Sequence, residues 1–269
     1  MWPTGGWGSL EYGPAPGFTA GQVVGGRWKP IHHMYAQHLY RDTVLLCGKD
    51  GACLLRHDGA LAGVAGKAAL SVVHMATGQS QALSSWSFEL PIGPGASQWY
   101  CAASAQTTDY AAPACRSWSD AVAPLGCAAD LSDCVLSVSV YDASGNVLDA
   151  HTVLLTAPAR MRLPAAAVTA TIGTVRADGT TPVTLSALGG AALYATLMST
   201  AQGRFSDNAV LVTPAEPVEL SFVPFIAGEV ANVQNTRVEH VALYTTGMGV
   251  DARSEGGAAA LGSARVVDA

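Results

Sequence analysis

The chain has 269 residues, 49% of them apolar and 13% charged, with a formal net charge of −6. That balance excludes a disordered chain, which could not bury enough apolar surface to fold, and leaves room for one or two domains. Net acidity without a basic stripe to displace counterions from phosphates excludes a nucleic-acid binder. The absence of any run of about 18–20 apolar residues gives no reason to expect a transmembrane helix.

Residues 1–40 come first, with Trp2-Pro3 and Trp7-Gly8-Ser9-Leu10-Glu11-Tyr12-Gly13, aromatic and apolar where a terminus is ordinarily polar and frayed. The segment lacks the basic flank and apolar centre of a signal peptide, so a leader is expected only upstream of Met1. After the loop Gly13-Pro14-Ala15-Pro16-Gly17, a helix is predicted from Trp28 to Tyr40. Pro30 falls in its first turn, where a missing N–H costs nothing. Ile31, Met34, Tyr35, His38 and Leu39 then recur at three- and four-residue spacings.

From Thr43 the period changes to two. Thr43–Cys47 and Ala52–Leu55 flank Gly48-Lys49-Asp50-Gly51, a hairpin signal. Further strands are expected at Ala69–Met75, Leu83–Phe88, Gln98–Ala102, Cys134–Tyr141 and Val147–Leu155, the last two joined by the turn Asp142-Ala143-Ser144-Gly145-Asn146. A proline-containing break near Pro158 separates a second series: Ala167–Val175, Val183–Leu188, Ala191–Met198, Phe205–Val212, Val218–Val223 and Thr236–Tyr244. Many short strands between turn residues predict a mainly β chain of two antiparallel sandwiches, 41–157 and 158–248. Residues 249–269, rich in glycine and alanine and without periodicity, read as a flexible tail.

Six cysteines leave disulfides and free thiols both open, because a chain this long does not depend on cross-links to fold. There is no Cys-x-x-Cys pair and no histidine pair at zinc-knuckle spacing, so neither a metal nor any other cofactor is expected.

Two separated motifs carry a family resemblance. The N-terminal Trp2-Pro3 and Trp7–Gly13 segments and Gly26-Arg27-Trp28-Lys29-Pro30-Ile31-His32 resemble the end of the catalytic barrel in the β-mannosidases of glycoside hydrolase family 2. Gly203-Arg204-Phe205-Ser206-Asp207-Asn208 resembles a turn in that family's last immunoglobulin-like domain. The resemblance implies a last strand-loop-helix remnant of a TIM-type barrel in residues 1–40, followed by two immunoglobulin-like β-sandwiches. Cys127 and Cys134 resemble a cysteine-containing corner of lysosomal members, which implies a disulfide between them and a lysosomal or secretory location. The implied activity is retaining hydrolysis of terminal β-linked mannose from mannose-containing oligosaccharides.

That reaction needs two carboxylates about 5–5.5 Å apart, one protonated as acid and one attacking the anomeric carbon. The family's asparagine–acid pair has no counterpart, since the chain lacks Asn-Glu, and its only Ser-Glu is Ser254-Glu255 in the tail. Both catalytic groups are therefore expected upstream of Met1, with the missing barrel portion as structural partner and this chain alone inactive. The alternative is a non-catalytic β-sandwich binding or interaction module, or an inactive paralogue. Glu11 sits in a nucleophile-like Leu-Glu-Tyr-Gly run but falls after the last barrel strand, so a hydrogen bond to a neighbouring loop is expected of it. Trp2 and Trp7 are candidate sugar platforms, set against packing at the barrel rim. His32, His33 and His38 read as surface or packing histidines. Arg204 and Asp207 read as a turn-stabilising pair ahead of a carbohydrate site.

Overall fold

In a computed structural model of the chain, residues 10–11, 27–28, 40–48, 50–60, 62–93, 95–104, 106–108, 115–199, 201, 203–225, 236–239 and 266–268 are described. They are mainly β, in sandwich-like sheets, as the period-two patterns predict. Among them no helix is long and apolar enough to cross a membrane.

Within residues 1–40, strand β1 (Leu10–Glu11) pairs antiparallel with β2 (Arg27–Trp28), Leu10 opposite Trp28 and Glu11 opposite Arg27. The helix predicted from Trp28 does not begin there, because Trp28 is extended. The ladder pairing with Leu10 holds Trp28 extended. Residues 29–39 of that stretch, with His32, His33 and His38, lie outside the described residues, as do Trp2 and Trp7, and Tyr40 at its expected end is not helical.

The chain divides into two compact units, one of which is His38–Arg162. This unit contains β3 (Thr43–Cys47), β4 (Ala52–His57), β5 (Val64–His74), β6 (Ser80–Leu90), β7 (Ala96–Cys101), β8 (Gln106–Thr108), the short helix α1 (Trp118–Val122), β9 (Cys134–Asp142) and β10 (Val147–Leu154). One sheet has the order β3-β4-β7-β8, the other β10-β9-β5-β6. Leu45, Leu55 and Tyr100 from the first meet Leu70, Val72, Trp86, Leu136 and Val138 from the second in one core. The alternation of buried Val138 and Val140 with half-buried Ser137 and Ser139 on β9 shows the period directly. Helix α1 is capped by Ser117 Oγ, which accepts from the Asp120 N–H, and the Trp118 indole donates to the Gly48 carbonyl at 2.7 Å.

All six cysteines fall in this unit and are paired. Cys47 and Cys53 are cross-strand partners beside the β3–β4 turn, Cys101 joins Cys115, and Cys127 joins Cys134. Asp149 is buried at 1% exposure. It accepts the Leu45 N–H at 3.1 Å, with Arg41 at 3.6 Å and His151 Nδ1 at 3.2 Å. These partners offset the cost of taking its charge from water.

The other unit includes Leu163–Ala269. Its strands are β11 (Ala167–Ile172), β12 (Thr181–Leu188), β13 (Ala192–Met198), β14 (Gly203–Phe205), β15 (Val210–Val212), β16 (Val218–Pro224), β17 (Arg237–Glu239) and β18 (Val266–Asp268). They form sheets of order β14-β16-β12-β11-β18 and β15-β13-β17, facing each other across Val168, Ile172, Leu185, Leu197, Phe205, Val212, Leu220 and Phe222. Two features differ from the sequence expectation. The stretch predicted as one strand from Phe205 to Val212 is two strands in different sheets, and Val266–Asp268, inside the predicted tail, pairs parallel with Ala170–Ile172.

Candidate functional site

The break inside 205–212 falls on the Gly203–Asn208 motif, and Phe205, Ser206 and Asn208 there have structural uses. Gly203 lies on β14 opposite Pro224; a Cβ there would run into the Phe222 ring and stand 2.6 Å from the Val223 carbonyl oxygen. Phe205 packs edge-on against Phe222 with ring centroids 5.4 Å apart. Ser206 donates its N–H to the Ser221 carbonyl at 2.7 Å and accepts the Ser221 N–H on Oγ at 2.9 Å. Asn208, 2% exposed, then reaches the other sheet: its Oδ1 accepts the Leu197 N–H at 2.7 Å, and its Nδ2 donates to the Leu197 carbonyl at 2.9 Å. The amide thus takes the place of a strand residue where the chain passes from β14 in one sheet to β15 in the other. Arg204 is exposed opposite Val223, and Asp207 accepts the Asn208 N–H at 2.7 Å. The motif is built to turn the chain between sheets.

The carboxyls displaced in titration tell a similar story. Hydrogen bonding holds Asp58, Asp130, Asp142 and Asp178 below the ordinary carboxyl value, with first causes in Arg56, Ser132, Asn146 and Thr180 respectively. In each, these bonds favour the ionised carboxyl. A glycosidase acid needs the opposite displacement, toward the protonated form. Burial does raise two phenols, Tyr100 and Tyr194.

Two histidines are fixed in single tautomers by carbonyls, which can only accept. His57 Nε2 donates to the Ala62 carbonyl at 2.9 Å, leaving Nδ1 to accept from Thr43 Oγ1 at 2.9 Å. His74 Nε2 donates to the Leu125 carbonyl at 2.8 Å, and Cys134 Sγ lies beside the ring, 3.4 Å from Nδ1 and 4.0 Å from Nε2. His74 and Cys134 are direct partners across β5 and β9, and Cys127 completes a cluster whose ligand-type atoms lie within 4.8 Å of one another. Spacing along the chain carried no sign of this group. His74 stands sixty positions from Cys134, and only the β5–β9 ladder brings them together. Of the other sequence candidates, Glu11 sits on β1 opposite Arg27.

Residues 163–242 match the family model of the mannosidase-type immunoglobulin domain, described as an Ig-fold domain. The match begins at Leu163, where the second unit's sandwich begins. Among solved structures, the β-D-mannosidase of Dictyoglomus thermophilum aligns with a TM-score of 0.52 at 15% identity, over 79% of this chain and 23% of that one. The exo-chitosanase CsxA of Amycolatopsis orientalis aligns at 0.43 and 14% identity, over 74% of this chain and 25% of that one. No curated protein matches the sequence. At such identities the likeness is one of fold, and this chain spans about a quarter of either enzyme. Through residues 163–242 the chain is distantly linked to the immunoglobulin-like domains of β-mannosidase type.

Proposed function

We propose that these 269 residues serve as a non-catalytic β-sandwich module, a pair of immunoglobulin-like domains of the kind that accompany a glycosidase barrel. The observation that supports this best is the use of the Gly203–Asn208 motif. Its phenyl ring, hydroxyl and Asn208 amide are all engaged inside the sandwich, so these parts of a family-like segment stabilise a fold. The downward displacement of Asp58, Asp130, Asp142 and Asp178 fits the same reading.

The finer reading concerns the assembly in which such a module works. There a barrel upstream of residue 1 supplies the acid and the nucleophile, releasing terminal β-linked mannose from oligosaccharides through a covalent glycosyl-enzyme. Trp2 and Trp7 then belong at the rim of that barrel, and the barrel is the module's structural partner. An assay of the purified chain with an aryl β-mannoside tests the non-catalytic reading. Turnover is expected to equal that of buffer alone. Turnover above buffer that disappears in Glu11→Gln would overturn the proposal and make this chain a glycosidase in its own right.

A further inference from the structure

We propose that reduction of the Cys127–Cys134 disulfide opens a three-ligand site for a zinc-type divalent cation, formed by Cys127 Sγ, Cys134 Sγ and His74 Nδ1. Three observations meet at this point. First, the ligand-type atoms of all three residues lie within 4.8 Å of one another. A cation bound at about 2.3 Å to sulfur and about 2.0–2.1 Å to nitrogen needs ligand atoms roughly 3.5–4 Å apart, so small side-chain rotations suffice. Second, two of the ligands are set by a sheet: His74 and Cys134 are directly opposed across β5 and β9, and Cys134 is fully buried. Cys127 lies at the start of the loop leading to Cys134, seven positions away, and its sulfur can withdraw from the disulfide without disturbing the ladder. Third, one imidazole nitrogen is held and the other lies near the sulfurs. The Nε2–H donates to the Leu125 carbonyl, an acceptor shared with the Gln81 side chain at 3.4 Å, while Cys134 sulfur stands beside the ring, 3.4 Å from Nδ1 and 4.0 Å from Nε2, so a turn of the ring presents Nδ1 to a cation held by the two sulfurs.

The chemistry balances with a dithiol as reductant. Two thiol–disulfide exchange steps pass two electrons and two protons to the protein, the reductant's sulfurs become a disulfide, and Cys127 and Cys134 become thiols. A divalent cation then displaces both thiol protons into solvent and takes the Nδ1 lone pair, leaving a fourth position for water. Nitrogen with two thiolates selects zinc or cobalt over magnesium or calcium, which prefer oxygen.

The test uses the full chain, cobalt(II) as a coloured probe and zinc as competitor. After reduction, one equivalent of cobalt should give the visible absorption of tetrahedral thiolate coordination, and zinc should bleach it. The oxidised chain should give none. Cys127→Ser/Cys134→Ser, which keeps the other four cysteines, should lose the signal under the same reducing conditions. His74→Gln should weaken binding by at least about ten- to a hundredfold, the loss seen when even an outer partner of a metal ligand is removed. Because reduction also opens the other two disulfides, β-sheet circular dichroism is followed in parallel. If the reduced chain has unfolded, zinc should restore the sheet signal in wild type and not in the double serine variant. A cobalt signal that survives in that variant, or a reduced wild type that neither gains the absorption nor recovers structure with zinc, overturns the proposal.

Discussion

Asn208 shows how one side chain can hold two sheets in register. Its amide satisfies both backbone groups of Leu197 while the chain leaves β14 for β15, and Ala209 beside it takes a positive φ of 59°. Removing the amide leaves a buried N–H and carbonyl without partners, which costs about 1–3 kcal/mol. Asn208→Ala should therefore lower the unfolding free energy by that much, read as a lower urea midpoint with an unchanged m-value. Asn208→Asp should do at least as much harm, since the carboxylate keeps the acceptor, loses the donor and brings a charge into a site that is 2% exposed. A wild-type midpoint in both variants would show that the amide carries no stability. The motif itself stood out in the sequence, but its role did not. Gly-Arg-Phe-Ser-Asp-Asn is as compatible with a charged sugar site as with a turn until Phe222, Ser221 and Leu197 are placed around it.

Among elements, the β9–β10 hairpin was the most legible, because its signal is local. Asp142 Oδ1 accepts the N–H groups of Ser144 and Asn146, each at 2.8 Å, Oδ2 accepts from the Asn146 amide at 2.8 Å, and Gly145 supplies a φ of 87°. These bonds favour the charged carboxyl, led by the Asn146 side chain, so its folded pKa lies below the ordinary carboxyl value. A lowered folded value means that the unfolded chain takes up the proton first. The hairpin's contribution is therefore complete above the ordinary carboxyl range and is lost as pH falls through the lowered folded value. The stability gap between wild type and Asp142→Ala should accordingly be constant from pH 7 to 5 and narrow below about pH 4. Urea titrations at each pH would reveal it, and a gap that widens in acid would contradict the assignment. Helix α1 was missed for the converse reason: five residues cannot display a 3.6 period. Its one local signature was Ser117 with Asp120 three positions on.

At the scale of the whole molecule, cross-links are confined to His38–Arg162, with sequence separations of 6, 14 and 7. Disulfides over such loops typically contribute about 2–4 kcal/mol each, whereas the Leu163–Ala269 sandwich rests on its apolar core around Leu185, Leu197 and Phe222. Reduction with no divalent cation present should therefore lower hydrogen-exchange protection across β3 to β10 and leave β11, β12 and β16 protected. Equal loss in both would mean that the two units do not fold independently, contrary to the division expected near Pro158.

The sequence by itself determined the β class, the hairpin turns and the positions of most strands. Thr43–Cys47 and Cys134–Asp142 follow from alternation and turn residues within a few positions of each other, and such signals survive without knowledge of the partner strand. Tertiary structure alone decided the facts that depend on distant residues meeting. Phe205–Val212 splits because the chain changes sheets, Val266–Asp268 is a strand because β11 has an edge to receive it, and His74 faces Cys134 because β5 and β9 share a ladder. Of the cysteine pairs, Cys127–Cys134 was implied by the family resemblance, whereas Cys47–Cys53 and Cys101–Cys115 were selected only by the approach of their backbones in the fold.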